Sequence, residues 1–490
     1  MMPLGVGVGS LLFALVSGAS GWAAPAGDHR VADAMKQQDE ASVRGLIADH
    51  ADVNAPQPDG ATALHWAAYW DDVRSAELLI RAAARVNAVN EHNVTPLSLA
   101  CLNGSAAMVG ALLAASADPN IAQHSGETPL MTCSRTGNAA AVEALLARGA
   151  NANAKEEALL QQTALMWAIA EKHHDVARAL LAHGADVHAR TAVRGGGSGG
   201  FTPLLFAARV GDVDSLRLLI DHGAEVNDVG ADGSSPLTVA TLRGHVPTAI
   251  FLLSKGADAN ARGPGYTALH WAAGSWETQL TGPYGIESHR EDEWNAMRGL
   301  KGAARIELIE ALLSHGADPN VRLTKEPPRY GYANLRFHVS LAGATPFLLA
   351  ARAADTEVMR LLVAHGANPT HATNLHTTPL MVAAGIGRVP NESFTTEAST
   401  IDAVKLALEL GGDVNAADDI GDTALHGAAH IRSAAVVRLL VDHGARVNAK
   451  NRRGLTPLMI AEGAGNSDNP GIGSGGDAGA VLRELSSKER

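Results

Sequence analysis

Histidine, present 21 times, is the residue of this chain best equipped for chemistry. An imidazole can ligate a metal or relay a proton, but either task needs partners at defined positions. No His-Glu-x-x-His pair occurs, and the adjacent His173 and His174 have no third ligand marked by spacing. Most histidines fit a structural role. His65, His270 and His426 each follow a threonine by three residues, within bonding reach of backbone and threonine groups at a helix start. His183, His222, His315, His365 and His443 each precede a glycine, where a positive charge favours a helix C-terminus. Gly196, Ser198 and Gly200 match the G-x-S-x-G of hydrolases, and Gly195, Gly197 and Gly200 match G-x-G-x-x-G. Both matches come from one glycine run with no strand ahead of it to hold a nucleophile or a dinucleotide. There is no phosphate-binding GxxxxGK[ST], and no pair of carboxylates is placed for acid–base work. The sequence therefore implies no catalytic residues, no cofactor and no metal.

The elements that position these residues repeat. A threonine or serine recurs at Thr62, Thr95, Thr128, Thr163, Thr202, Ser235, Thr267, Thr345, Thr378, Thr423 and Thr456, with 33 residues as the commonest interval. Thr-Pro at 95–96, 202–203 and 456–457 predicts an N-cap followed by proline in the first helical position. Paired alanines such as Ala67-Ala68 keep that first helix thin enough for neighbours to approach. An apolar second helix follows, as at Val213, Leu216, Leu219 and Ile220, and then a glycine (Gly223, Gly316, Gly444) suited to a left-handed C-cap. One such unit cannot bury its apolar face, so stacking must supply the core. A net charge of −12 argues against a nucleic-acid partner.

The stretches Thr62-Ala-Leu-His-Trp-Ala-Ala68 and Thr267-Ala-Leu-His-Trp-Ala-Ala273 resemble the TPLHxAA motif of the ankyrin-repeat family, whose period is 33 residues. The resemblance covers nearly all of the chain and implies an all-α repeat solenoid of about twelve stacked helix-turn-helix units with projecting β-turns. Residues 1–24 are expected to be a signal peptide, on the apolar run 4–18 and the small residues after it, although no positive segment precedes the run. A capping repeat over 27–57 presents Lys36, Gln37, Gln38, Asp39 and Glu40 outward, the array spans 58–461, and 462–490 closes it as cap and tail. Insertions fall at 191–200, 274–302, 323–343 and 386–400, with a further Gly-rich one near 465–478. Cys101 and Cys133 occupy alanine positions one residue out of register, and equivalent Cα atoms in stacked helices lie roughly 9–10 Å apart. Both are expected as small core residues, not a disulfide.

The family binds proteins through a concave groove of turn tips and first-helix faces. Carried onto this sequence, the resemblance implies groove residues Tyr69, Trp70, Arg135, Arg209, Arg352 and His430, and turn-tip residues His92, His124, Phe201, Tyr266 and Asp422. Trp276 adds an aromatic from the 274–302 insertion. Aromatic and arginine side chains dominate interface energetics. The reading is an exported, non-enzymatic, monomeric scaffold in the periplasm or outside the cell. It would bind a protein partner and carry no membrane span in its mature form. Two alternatives remain: an enzyme or small-ligand binder with a site built by the 274–302 and 323–343 insertions, and a regulatory or protective subunit of an exported enzyme.

Overall fold

The computed structural model describes residues 28–157, 160–193, 199–275, 300, 302–325, 339–388, 395–464 and 476–488. Its regular structure is helical, and Val193 with Gly199 forms the one isolated β-bridge among the described residues. The chain divides into two compact units, Met1–Asp232 and Gly233–Arg490.

The first unit holds six helix pairs: α1 (Arg30–Lys36) with α2 (Glu40–Ala48), α3 (Ala63–Tyr69) with α4 (Val73–Arg81), α5 (Pro96–Leu102) with α6 (Ala106–Ala114), α7 (Pro129–Thr136) with α8 (Ala139–Ala147), α9 (Ala164–Ala170) with α10 (His174–Ala182), and α11 (Pro203–Val210) with α12 (Val213–Asp221). The second unit holds six more. They are α13 (Pro236–Leu242) with α14 (Val246–Ser254), α15 (Ala268–Ala273) with α16 (Gly302–Ser314), α17 (Pro346–Arg352) with α18 (Thr356–Ala364), α19 (Pro379–Ala383) with α20 (Glu397–Glu409), α21 (Ala424–His430) with α22 (Ala434–Asp442), and α23 (Pro457–Ala461) with α24 (Gly476–Lys488). Within each unit, first helices pack on first helices and second on second.

Local chemistry starts each first helix. Thr95 Oγ1 accepts from the Ser98 amide at 3.1 Å while Pro96 fills the first helical position, where a missing N–H costs nothing. Where the third helical residue is histidine, the ring closes the cap from the other side. His65 Nδ1 accepts from the Thr62 amide at 3.1 Å, and His65 Nε2 lies 3.0 Å from the Val94 carbonyl of the next repeat. Since Nδ1 is an acceptor there, Nε2 carries the proton and donates. His270 makes the same bonds, to the Thr267 amide at 3.2 Å and to the Val321 carbonyl at 3.0 Å. Burial drives both imidazoles down to about 4, so they are neutral. The histidines before the capping glycines also have a job: His222, His315 and His443 bring Nδ1 to 2.8 Å from the carbonyl four residues back.

Asparagine links one repeat to the next. Asn120 Nδ2 donates to the Gly149 carbonyl at 3.0 Å, and its Oδ1 accepts from the Asn151 amide at 2.8 Å. Asn54, Asn87 and Asn153 repeat this in the first unit, and Asn260, Asn320 and Asn415 in the second.

Cys101 and Cys133 are joined in a disulfide with Cα atoms 4.5 Å apart, contrary to the expectation from sequence. The one-residue offset is the cause. The alanine-lined first helices are staggered, so the sixth residue after one threonine faces the fifth residue after the next. Thr136 Oγ1 reaches the Cys101 carbonyl at 3.0 Å by the same stagger. The spacing of equivalent positions was the wrong measure.

Candidate interaction surface

Residues four and seven positions after each anchoring threonine share a first-helix face, because three residues make nearly one turn. In the first unit this face carries Trp66 and Tyr69, Leu99 and Leu102, Thr132 and Arg135, Trp167 and Ala170, then Phe206 and Arg209. Trp66 is buried, and its Nε1 donates to Gln57 Oε1 at 2.8 Å, while Gln57 donates to Asp33 at 2.6 Å. This network fixes the first repeat on the capping pair. Lys36 Nζ lies 4.9 Å from the centre of the Trp66 ring. Tyr69 stands edge-on to Trp66 at 5.7 Å and to Trp70 at 4.7 Å. Tyr69 is half-buried and Trp70 is 40 % exposed, so the three rings run from the core to the surface.

Arg135 is built into the wall. Its Nη2 pairs with Glu127 Oε1 at 3.3 Å, Thr132 Oγ1 donates to the same oxygen at 2.8 Å, and the guanidinium stacks 5.4 Å from the Trp167 ring. Arg135 Nε and Trp167 Nε1 are buried donors with no hydrogen-bond partner among the described residues. Trp66 and Trp167 are not among the residues expected from sequence, which lie just after the alanine pair or just before the threonine. The signal was available as tryptophan three residues before a Tyr69- or Arg135-type position.

Phe201 and Tyr266 are only 7 % and 5 % exposed, so their rings serve the packing of their own turns; Phe201 stands edge-on to Phe206 at 6.2 Å. His92 is exposed beside Glu91 at 3.5 Å, and its carbonyl accepts from the His124 amide at 3.2 Å. Arg209 is half-buried. His430 is half-buried, its Nε2 is 3.1 Å from the Arg388 carbonyl, and burial holds its pKa below the usual value. Trp276 lies outside the described residues, as do most of the 274–302 and 323–343 insertions. The base of the latter is pinned by backbone bonds from Leu323 to Ala344 at 2.9 Å and from Gly343 to Leu323 at 2.8 Å.

Two arginines that sequence reasoning did not single out secure the helices interrupted by insertions. An insertion straight after the first helix leaves that helix's last carbonyls without their usual amide partners. Arg305 donates through Nε to Ala272 at 2.6 Å and through Nη2 to Ala273 at 2.7 Å, and it pairs with Asp355 at 2.5 Å. Arg388, buried between α19 and α20, donates to the Ala383 carbonyl at 3.0 Å and to Thr400 Oγ1 at 2.7 Å. Burial lowers its guanidinium to about 10. No described helix is long and apolar enough to cross a membrane.

A family model of three ankyrin repeats matches residues 31–123, 108–191, 204–280 and 395–469. A many-copy ankyrin model matches 165–220, and a single-repeat model matches 342–374. Among curated proteins, the chain is 34 % identical over 129 residues to ankyrin repeat and SOCS box protein 11 of Pongo abelii, covering 26 % of this chain and 35 % of that one. It is 43 % identical over 68 residues to Protein PhlB of Serratia liquefaciens, covering 14 % and 30 %. These matches thus span about a third of the relatives' own lengths. Among solved structures, the human ASB11 ankyrin repeat domain aligns with 48 % of this chain and 99 % of its own, at 29 % identity and a TM-score of 0.40.

Proposed function

This chain belongs to the ankyrin-repeat family, and from that premise we propose that it is an exported, non-catalytic scaffold whose first unit holds a partner protein on the Tyr69–Trp70 end of its first-helix face. Ankyrin repeats generally mediate protein–protein interaction. The observation that carries the finer reading is Trp70, 40 % exposed and backed by Tyr69 and Trp66. A large ring presented on a rigid aromatic base is costly to leave in water and is the kind of anchor that dominates an interface. Two and three repeats further along the same face, Arg135 Nε and Trp167 Nε1, with no hydrogen-bond partner among the described residues, favour a partner that brings carbonyl or carboxylate oxygens after a small side-chain adjustment.

Export is supported by the apolar run at 4–18 and by the buried Cys101–Cys133 disulfide, a bond that persists in oxidising compartments. The test is retention of proteins from the exported fraction on immobilised wild type and on Tyr69→Ala/Trp70→Ala, with helical content and unfolding midpoint measured for both. The reading requires a protein that wild type retains and the equally folded variant loses. Equal retention by the two, or none by wild type, overturns it.

A further inference from the structure

His173 and His174 are adjacent in sequence but turn to different repeats. His173 Nε2 meets the Arg135 carbonyl at 3.0 Å. His174, the first residue of α10, turns the other way and meets Asp212 Oδ2 at 2.7 Å, across a separation of 38 residues. Asp212 caps α12. At the equivalent caps Asp39, Asp72 and Asp355, the carboxylate accepts from the amide of the third helical residue. The Asp212 carboxylate holds, besides, His174 and the Ser215 hydroxyl, the latter at 2.5 Å. Asp214, in the first turn of α12, stands beside them, and one donor atom from each of His174, Asp212 and Asp214 lies within 4.8 Å of the other two.

We propose that His174, Asp212 and Asp214 form a binding site for Zn2+ or a similar first-row divalent cation that ties the fifth helix pair to the sixth. The donor set is one imidazole nitrogen and two carboxylate oxygens, which suits zinc with three protein ligands and an open position. Bonds of about 2.0–2.2 Å in a tetrahedral arrangement put donor atoms roughly 3.3–3.6 Å apart, so the exposed Asp214 side chain swings inward to complete the set. The ion takes the place of the hydrogen shared by His174 and Asp212. Ser215 orients the Asp212 carboxylate, as outer-shell donors do around metal ligands. The amides of the α12 first turn add positive potential beside these side chains. Asp214 also has a pairing with Arg217 at 3.5 Å, but both side chains are well exposed, so that competition is weak. The side chain of Asp212 is 8 % exposed and that of Asp214 70 %, so the site has a buried floor and an open side for water.

The test uses the full chain, stripped with a chelator and titrated with Zn2+ by calorimetry, alongside urea unfolding with and without Zn2+. Wild type is expected to bind one equivalent more tightly than any remaining sites and to unfold at higher urea when loaded. His174→Ala and Asp214→Asn should each weaken that step at least ~10-fold, because losing an outer-shell partner alone typically costs 10–100-fold and these are direct ligands. Asp214 is exposed, so Asp214→Asn retains the fold and keeps the experiment decisive. Mg2+, which prefers oxygen ligands and keeps its waters, should not reproduce the shift. Equal Zn2+ binding by wild type and both variants, or an unchanged unfolding midpoint with Zn2+, overturns the proposal. Neither outcome bears on partner binding at Tyr69 and Trp70.

Discussion

Acidification should loosen both units through the two histidines that close the helix caps. His65 and His270 are buried, donate from Nε2 to a carbonyl of the following repeat, and are held neutral with pKa values of about 4. In the unfolded chain the same groups titrate near the ordinary histidine value of about 6.5. The folded value is the lower one, so the unfolded state binds more protons between these limits. Stability is therefore fully present above about pH 6.5 and is lost as pH falls toward 4. Between pH 7 and pH 5 the loss is roughly 2 kcal/mol for each histidine, one in each unit. The assay is urea unfolding at the two pH values for wild type and for His65→Gln/His270→Gln. The double variant loses cap bonds at every pH, so the informative quantity is its pH-dependent change. That change should be smaller than wild type's by most of the roughly 4 kcal/mol, and the two ring resonances should not titrate between pH 7 and 5. Equal pH dependence in wild type and variant, or ring resonances titrating near 6.5, would refute the reasoning.

Reducing the Cys101–Cys133 bond, whose cysteines are 32 residues apart, should cost the first unit about 3–4 kcal/mol on the chain-entropy scale; a urea midpoint unchanged by reductant would contradict this, as would two free thiols in the denatured, unreduced chain. Asn120→Ala removes both rungs of one inter-repeat link and should cost about 1–2 kcal/mol, read as a lower unfolding midpoint. Gly126→Ala and Gly149→Ala separate backbone strain from collision. Both glycines have positive φ, +79° and +83°, but a Cβ on Gly126 would lie 2.4 Å from the Glu157 amide nitrogen, whereas none of the surrounding atoms comes within 4 Å at Gly149. Gly149→Ala should cost about 1 kcal/mol and Gly126→Ala clearly more; equal midpoints for the two would remove collision as a cause.

Much of the fold was legible because its decisive bonds are local. A threonine caps an amide three residues on, proline follows it, and a glycine takes the left-handed turn, so one 33-residue pattern states the helix pair and its period. The cap histidines were legible for the same reason, since their threonine lies three residues away. The candidate surface was only half legible. Tyr69 and Trp70 reach the surface at the end of their first helix, but Phe201 and Tyr266 fold into their own turns because an aromatic ring beside a close-packed turn gains more from burial than from presentation.

By itself the sequence determined the repeat, its family, the caps and the structural role of the cap histidines; their burial, which keeps them neutral, came from the tertiary structure. Tertiary structure alone decided the contacts that cross from one repeat to the next. Those depend on the stagger of stacked helices, which side-chain volumes set and a 33-residue period does not encode. That stagger brought Cys101 to Cys133, placed Arg135 against Trp167, and carried Asp212 and Asp214 to His174, a meeting no sequence spacing could have supplied.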